Sequence, residues 1–305
     1  MRHEMAGHGR LEGDAFAASA RITEAEFKLF QALVREFTGI TIGDTKRELV
    51  CARLGKRLRH YGYRTFQQYH EHLRERDPAG AERQALINAI TTNKTEFFRE
   101  LHHFDVLRGY VTEQRARAAD PGEGGRRLRL WSAGCSSGEE AYSIAMTVLA
   151  ALAPARWDVK ILASDIDTDM LSVAEAGLYP EESLRSVPPR LRDPYFTRLS
   201  IHGRHLVQIA SEVRELVKVR RINLVHEGWP IRTQFDAIFC RNVTIYFDKP
   251  GQRSMLQRLV QFLRPGGLLF LGHSESLLGL QAGLEHVANS VYRNRACHTD
   301  RPPAP

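Results

Sequence analysis

The feature that most constrains this chain is a strand, a glycine turn and a helix in immediate succession. LRLWS runs into Ala133-Gly134-Cys135-Ser136-Ser137-Gly138, and a helical pattern follows from Tyr142 to Leu152. A second apolar run, VKILASD, ends on Asp165 and leads into a helical pattern from Thr168 to Ala176. Strands alternating with helices imply an α/β fold: a mostly parallel sheet covered on both faces. Between about Tyr179 and Asn223 the alternation breaks, and HLVQIA and VRELVKVRR read as short strands of a small inserted antiparallel β-subdomain at about 180–222. It resumes with FDAIFC, an amphipathic helix carrying Leu256, Leu259, Val260 and Leu263, and the strand LLFLG after Pro265-Gly266-Gly267.

Upstream the period is different. From Thr23 to Ala89 the pattern is helical throughout: Phe27, Phe30, Leu33, Val34 and Phe37 recur at spacings of three and four, and Leu49, Leu54 and Leu58 continue them after the turn near Gly43. The expected organisation is an all-helical N-terminal domain at 21–91 and an α/β domain at 92–295. Residues 1–20 and 296–305 are expected to be disordered, and the stretch with Pro121, Gly122, Gly124 and Gly125 an exposed connection.

Several classes of function are disfavoured. The longest mostly apolar run, Ala141 to Ala153, falls short of the roughly 18 to 20 residues that span a bilayer, and the N-terminus lacks the apolar core of a secretion signal. A cytoplasmic protein without membrane insertion is expected. Cys51, Cys135, Cys240 and Cys297 form no CxxC pair, so no metal site is expected. A net charge of +7 and a pI of 9.4 admit nucleic acid, anionic lipid or an acidic protein as partner and do not choose among them.

The chemistry narrows the choice. A glycine turn between strand and helix lets a ligand approach the backbone, and a carboxylate one strand over, Asp165, is placed to accept both hydroxyls of a ribose. The spacing G-x-x-x-G from Gly134 to Gly138 departs from the G-x-G-x-x-G of dinucleotide sites, and Glu139 and Glu140 put negative charge where a pyrophosphate would lie. An adenosine cofactor without phosphates fits better. S-adenosyl-L-methionine, with its sulfonium and amino group, is attracted where a pyrophosphate is repelled. The same two glutamates also fit simple stabilisation of a helix N-terminus. Asn93-Lys94-Thr95-Glu96-Phe97-Phe98-Arg99 is read as the opening of a helix, with Arg99 one turn after Thr95; Asn93 or Thr95 serves either as its N-cap or, with Arg99, as part of a carboxylate-holding trio. FDAIFC ends on Arg241-Asn242, with Tyr246 about one turn beyond, at a sheet edge where open α/β folds bind ligands.

Six phrases, TTNKTEFFRE, LWSAGCSSGEEAYSIAM, ASDIDTDML, RINL, FDAIFCRNVTIYFD and LRPGGLLFLGHSES, stand in order between about Ile22 and Arg293. Together they resemble the CheR-type methyltransferases of chemotaxis receptors. The resemblance implies a seven-stranded class I methyltransferase (Rossmann-like) domain that transfers methyl from S-adenosyl-L-methionine to receptor glutamate carboxylates, giving methyl esters and S-adenosylhomocysteine. It assigns Asn93, Thr95, Arg99, Gly134, Glu140, Asp165, Asn223, Leu224, Arg241 and Asn242 to the cofactor, and Arg99 and Tyr246 to the transferred methyl. It implies that acidic receptor helices meet the basic stretch with Arg53, Lys56, Arg57 and Arg59, and a monomer that binds no nucleic acid. Arg198–Arg204 carries one glycine only, so no tether for a receptor C-terminal peptide is expected. The alternatives are a methyltransferase of another signalling protein and a sensor of S-adenosyl-L-methionine without turnover.

Overall fold

The computed structural model describes residues 21–117, 127–152, 157–275 and 283–295. The expected tails and the Pro121–Gly125 connection lie outside them. The chain divides into two compact units, between Thr92 and Asn93.

Among the described residues the first unit contains four α-helices: α1 (Glu24–Thr38), α2 (Arg47–Tyr61), α3 (Phe66–Glu75) and α4 (Ala81–Ile90). Thr23 with Glu26 and Thr65 with Gln68 form reciprocal capping boxes that start α1 and α3, satisfying backbone donors that otherwise lack partners. The five apolar residues of α1 picked out by their spacing are all buried, and Phe30 stacks on Tyr69 with ring centroids 5.8 Å apart. On α2 the inward row is Val50, Leu54 and Leu58; Leu49, expected inside, is 42% exposed, because Val50 is the residue one helical turn before Leu54.

The basic row on α2 also divides. Arg53 donates through Nη1 to the carbonyls of Ile90 (2.6 Å) and Thr91 (2.8 Å), closing the end of α4. Arg57 pairs with Glu82, which is 4% exposed and also accepts from the Tyr61 (2.8 Å) and Tyr69 (2.6 Å) hydroxyls. Arg53 and Arg57, read from sequence as partner-facing, hold the bundle together instead; Lys46, Arg47, Lys56 and Arg59 are exposed.

The second unit opens with irregular backbone at 93–96 and a turn at 97–101, then α5 (His102–Arg117). The expectation that Asn93–Arg99 begins a helix is therefore wrong. Phe98 (φ 54°) and Glu100 (φ 59°) are left-handed, a conformation that side chains with a Cβ rarely adopt and that cannot be propagated into a helix. The main elements are β1 (Arg127–Ala133), α6 (Glu139–Leu152), β2 (Asp158–Asp165), α7 (Thr168–Ala176), β6 (Val217–Arg221), β7 (Phe235–Cys240), α10 (Lys249–Gln261), β8 (Leu263–Leu271), β9 (Leu284–Ala288) and β10 (Val291–Asn294). Their seven strands lie in the order β6-β2-β1-β7-β8-β10-β9, with β10 alone antiparallel to its neighbours.

Between α7 and β6 lie β3 (Leu178–Pro180), α8 (Pro189–Tyr195), β4 (Phe196–Ile201), β5 (Arg204–Ile209) and the single turn α9 (Ser211–Arg214). The insertion is a three-stranded antiparallel sheet, β3-β5-β4. HLVQIA belongs to it, but VKVRR does not: Val217–Arg221 pairs in parallel with β2 as the edge of the main sheet. Alternation of Val217 and Val219 with charged residues fits any strand with one wet face, so it did not distinguish the two sheets.

The central strands of the main sheet are buried on both faces. Leu128, Leu130, Ala237, Phe239, Leu268 and Phe270 pack under α5 and α6, while Trp131, Ala133, Ile238, Cys240, Leu269 and Leu271 pack against Met255, Leu256 and Leu259 of α10. Successive strands proceed outward from β1 in one direction to β2 and β6 and in the other through β7 and β8. The carboxyl ends of β1 and β7 therefore flank the switch point where such sheets hold ligands.

Candidate active site

The loop after β1 is positioned by its backbone. Gly134 and Cys135 both donate to the Ser164 carbonyl (2.8 and 2.9 Å), pinning the turn to the end of β2. Gly134 has φ +85°, and a Cβ there would lie 2.3 Å from Val243 Cγ2, so only glycine lets the loops after β1 and β7 close on each other. Tyr179, from the insertion, donates its hydroxyl to the Ser137 carbonyl (2.6 Å) and supports the turn from outside.

Asp165 ends β2 half-buried. Its Oδ1 accepts from the amides of Ile166 (2.7 Å) and Asp167 (3.0 Å), and its Oδ2 from Ser136 (2.8 Å). Three of about four acceptor positions on the carboxylate are thus filled, leaving room for one further donor where the sequence suggested two. Burial pushes its pKa up, against those three amides. Asn93 reaches the same region, donating from Nδ2 to Asp167 (2.7 Å) while its carbonyl accepts from Ser136 Oγ (3.2 Å). Asn93 therefore ties the entry segment to the loops of β1 and β2, and it caps no helix. Thr95 is half-buried on this irregular segment.

Arg241, at the end of β7, has a side chain only 2% exposed. Nη1 meets Glu140 Oε2 at 3.1 Å, and Nη2 donates to the Arg99 carbonyl at 2.6 Å while lying 3.1 Å from Glu100 Oε2, a charge contact without hydrogen-bond geometry. Glu140 also accepts from Ser132 Oγ at 2.7 Å. Burial pushes Glu100 up, but Arg241 overrides it and holds that carboxyl below its usual range. Glu140 goes the other way: burial raises it, and Arg241 and Ser132 do not fully offset this, with Glu100 adding repulsion. His103, pressed down to about 4 by burial and by Arg241, adds no positive charge near neutral pH. Arg241 is thus shared by two carboxylates, hydrogen-bonded to Glu140 and in charge contact with Glu100. Glu139 is likewise raised by burial and accepts only from Ser137 Oγ (2.7 Å) among the described side chains.

The Arg99 side chain is half-exposed and donates to the Lys94 carbonyl at 3.1 Å, while its backbone is fixed between two left-handed residues by Arg241. Backbone strain of this kind, about 1–3 kcal/mol per residue, concentrates at functional sites. Asn223 accepts from the Val225 amide (3.1 Å), and the Asp165 carbonyl accepts from neighbouring Ile222 (3.0 Å). Leu224 is buried in the core beside α10, with its carbonyl held by Arg258. Tyr246 ends a single 3₁₀ turn, Thr244–Tyr246, half-buried. Asn242 is left-handed at φ 58°. Glu100, Ser132, Ser136 and Glu275 were missed from sequence. Glu100 and Glu275 do lie in the quoted phrases, TTNKTEFFRE and LRPGGLLFLGHSES, but nothing local distinguishes a clamp glutamate from a surface one.

These residues fit a cationic adenosine ligand. Glu139, Glu140 and Asp165 gather at the carboxyl ends of β1 and β2, with one shared guanidinium among the described residues. That set suits a sulfonium and an ammonium and repels a pyrophosphate. Among the described residues no cluster of His, Cys, Asp or Glu is arranged to hold a metal ion, and no helix is long and apolar enough to cross a membrane.

Comparison with known proteins agrees. Residues 93–293 match the family model of the CheR methyltransferase SAM binding domain, and residues 25–91 that of the CheR methyltransferase all-alpha domain. Chemotaxis protein methyltransferase 2 of Pseudomonas aeruginosa is 43% identical over 270 residues, 88% of this chain and 93% of its own. Chemotaxis protein methyltransferases of Klebsiella aerogenes (43% over 295 residues; 96% and 98%) and Escherichia coli (40% over 273; 89% and 91%) are similar along nearly their whole lengths.

Proposed function

The chain belongs to the CheR methyltransferase family, and from that membership we propose that it methylates glutamate side-chain carboxylates of chemotaxis receptors, with S-adenosyl-L-methionine as methyl donor. The observation that carries the cofactor side is the half-buried carboxylate set of Glu139, Glu140 and Asp165 at the glycine turn. When bound, S-adenosyl-L-methionine supplies an electrophilic methyl group on a positively charged sulfur, which keeps the electron pair of the broken bond. Glu140 and Glu139 stabilise the positive charge, and Asp165 uses its free acceptor position on one ribose hydroxyl. Gly134 keeps the backbone low beside the ligand. Asn93, Thr95, Asn223, Leu224 and Asn242 line the same pocket, and Arg241 orients Glu140.

The acceptor needs no general base, since a glutamate carboxylate is ionised near neutral pH with a reference pKa of about 4.3. What remains for the protein is alignment, which is worth up to about 7–11 kcal/mol in well-oriented reactions. Arg99 holds the incoming carboxylate by charge-assisted hydrogen bonds, and Tyr246 packs or hydrogen-bonds beside the methyl. Acidic receptor helices are steered by the exposed cations of α2, Lys56 and Arg59 with Lys46 and Arg47. The enzyme acts in the cytoplasm as a monomer.

The test is transfer of labelled methyl from S-adenosyl-L-methionine to an acidic helical receptor fragment, followed by base treatment. Volatile methanol marks a carboxyl methyl ester. Base-stable label, or none from a protein that binds the cofactor, rejects the carboxylate acceptor. Arg99→Ala is expected to lower turnover about 100- to 1,000-fold; near-normal turnover removes Arg99 from the mechanism.

A further inference from the structure

A carboxylate that the reaction itself does not use lies at the heart of the strand-end loops. Glu275, four residues beyond β8, is 6% exposed. Its Oε1 accepts from the amides of Val243 (2.9 Å) and Thr244 (2.7 Å) and from the Thr244 hydroxyl (2.7 Å); its Oε2 accepts from the amides of Asn242 (2.7 Å) and Gly272 (2.6 Å). Five donors converge on one anion, more than the four lone-pair positions a carboxylate presents. Three of them are consecutive amides that begin two residues past β7, where no strand partner satisfies them. The approach is so close that a Cβ on Gly272 would lie 2.5 Å from Asn242 Nδ2 and 2.8 Å from Glu275 Oε2.

What this clamp holds is specific. Asn242 is left-handed, a conformation that three side-chain-to-backbone bonds on its own and the two following residues can enforce. Val243 is the residue whose methyl group packs on Gly134, and Thr244 begins the turn that carries Tyr246. The loops after β7 and β8 are therefore fastened together through one side chain, and Val243 carries that fastening to the loop after β1.

We propose that Glu275 is a positioning residue for methyl transfer, which fixes the segment Asn242–Tyr246 against the glycine turn. It touches none of the reacting groups. The inference rests on the reading that Asn242 and Tyr246 face the cofactor and its methyl group, and its test separates the two.

Glu275→Gln keeps the shape and turns one acceptor oxygen into an amino group that faces backbone amides. In the full chain, with S-adenosylhomocysteine bound, amide hydrogen exchange over 242–246 should accelerate at least about tenfold while exchange over β1 and α6 stays unchanged. Turnover on the receptor fragment should fall about 100-fold, with cofactor affinity changed less than about fivefold and binding stoichiometry intact. Acceleration throughout the unit, or turnover per bound cofactor equal to the parent's, would make Glu275 merely structural and overturn the proposal. So would unchanged exchange at 242–246. If the parent protein itself transfers no methyl to the fragment, the acceptor reading fails, and the exchange pattern still decides the clamp. Gly272→Ala should reproduce the local acceleration, because the new methyl displaces Asn242 from the same carboxylate.

Discussion

Each unit buries a glutamate against an arginine, and the two pairs have opposite consequences. Glu82, in the helical unit, is pushed up by burial, but Arg57 and the hydroxyls of Tyr69 and Tyr61 outweigh that and leave it below its ordinary range. Its oxygens are occupied by three side chains of the same bundle. Glu140, in the α/β unit, stays above its ordinary range because burial outweighs the Ser132 hydroxyl and an Arg241 that it shares with Glu100, whose charge adds repulsion. A carboxylate whose partners are complete stabilises a fold. One left short of counter-charge is destabilised there, and in the proposed function a bound cation makes up the difference.

That contrast can be broken by experiment. Arg241→Met leaves Glu100 and Glu140 buried without their common cation and should cost about 3–5 kcal/mol of stability, read by denaturant titration; a loss typical of exposed pairs, under about 1 kcal/mol, would contradict the shared-cation description. Arg57→Met should cost about 3 kcal/mol in the helical unit and leave the affinity for S-adenosyl-L-methionine unchanged by calorimetry. Glu140→Gln should do the reverse, weakening cofactor binding about 10- to 100-fold with the unfolding midpoint unchanged or higher. Were Glu140→Gln to unfold the protein at parent-like affinity, Glu140 would be another Glu82.

The pH dependence sharpens the same point. Glu82 has its folded pKa below the unfolded value of about 4.3, so its contribution is complete above that value and is lost as pH falls through the folded one. Glu139, Glu140 and Asp165 have folded pKa values above their unfolded ones, so protonation as pH falls relieves the folded state while removing the charge that attracts the cofactor. Cofactor affinity measured from pH 7 downward should decline before the helical unit loses any stability. Coincident losses would mean that both sets titrate alike. The smallest effect belongs to the surface: Lys56→Glu with Arg59→Glu should raise KM for the receptor fragment several-fold at low salt, fading towards 0.5 M salt, with cofactor affinity unchanged.

How much was legible beforehand follows from the range of each interaction. The inward row of α1, Leu256 and Leu259 of α10, the glycine turn and the acid at the end of β2 were readable, because period and turn chemistry are local, whereas Leu263, read into the same helix, starts β8 instead. Arg53 and Arg57 looked like the rest of a charge run, since nothing near them in sequence reveals Ile90, Thr91 or Glu82, 25 or more residues away. The entry segment at Asn93–Arg99 read as a helix for a similar reason: its irregular path is set by Asp167, Ser136 and Arg241, each supplied by a distant loop.

The sequence by itself determined the two-part organisation, the alternation that produces a parallel sheet, and the glycine turn with its acidic residues on which the proposed cofactor site rests. Only the tertiary structure decided which cations are internal, that VKVRR joins the main sheet, and that Glu275 closes the strand-end loops. Those outcomes depend on buried charges finding partners across the fold, and a charge is the same letter in the sequence whether its partner is water or a backbone amide 31 residues away.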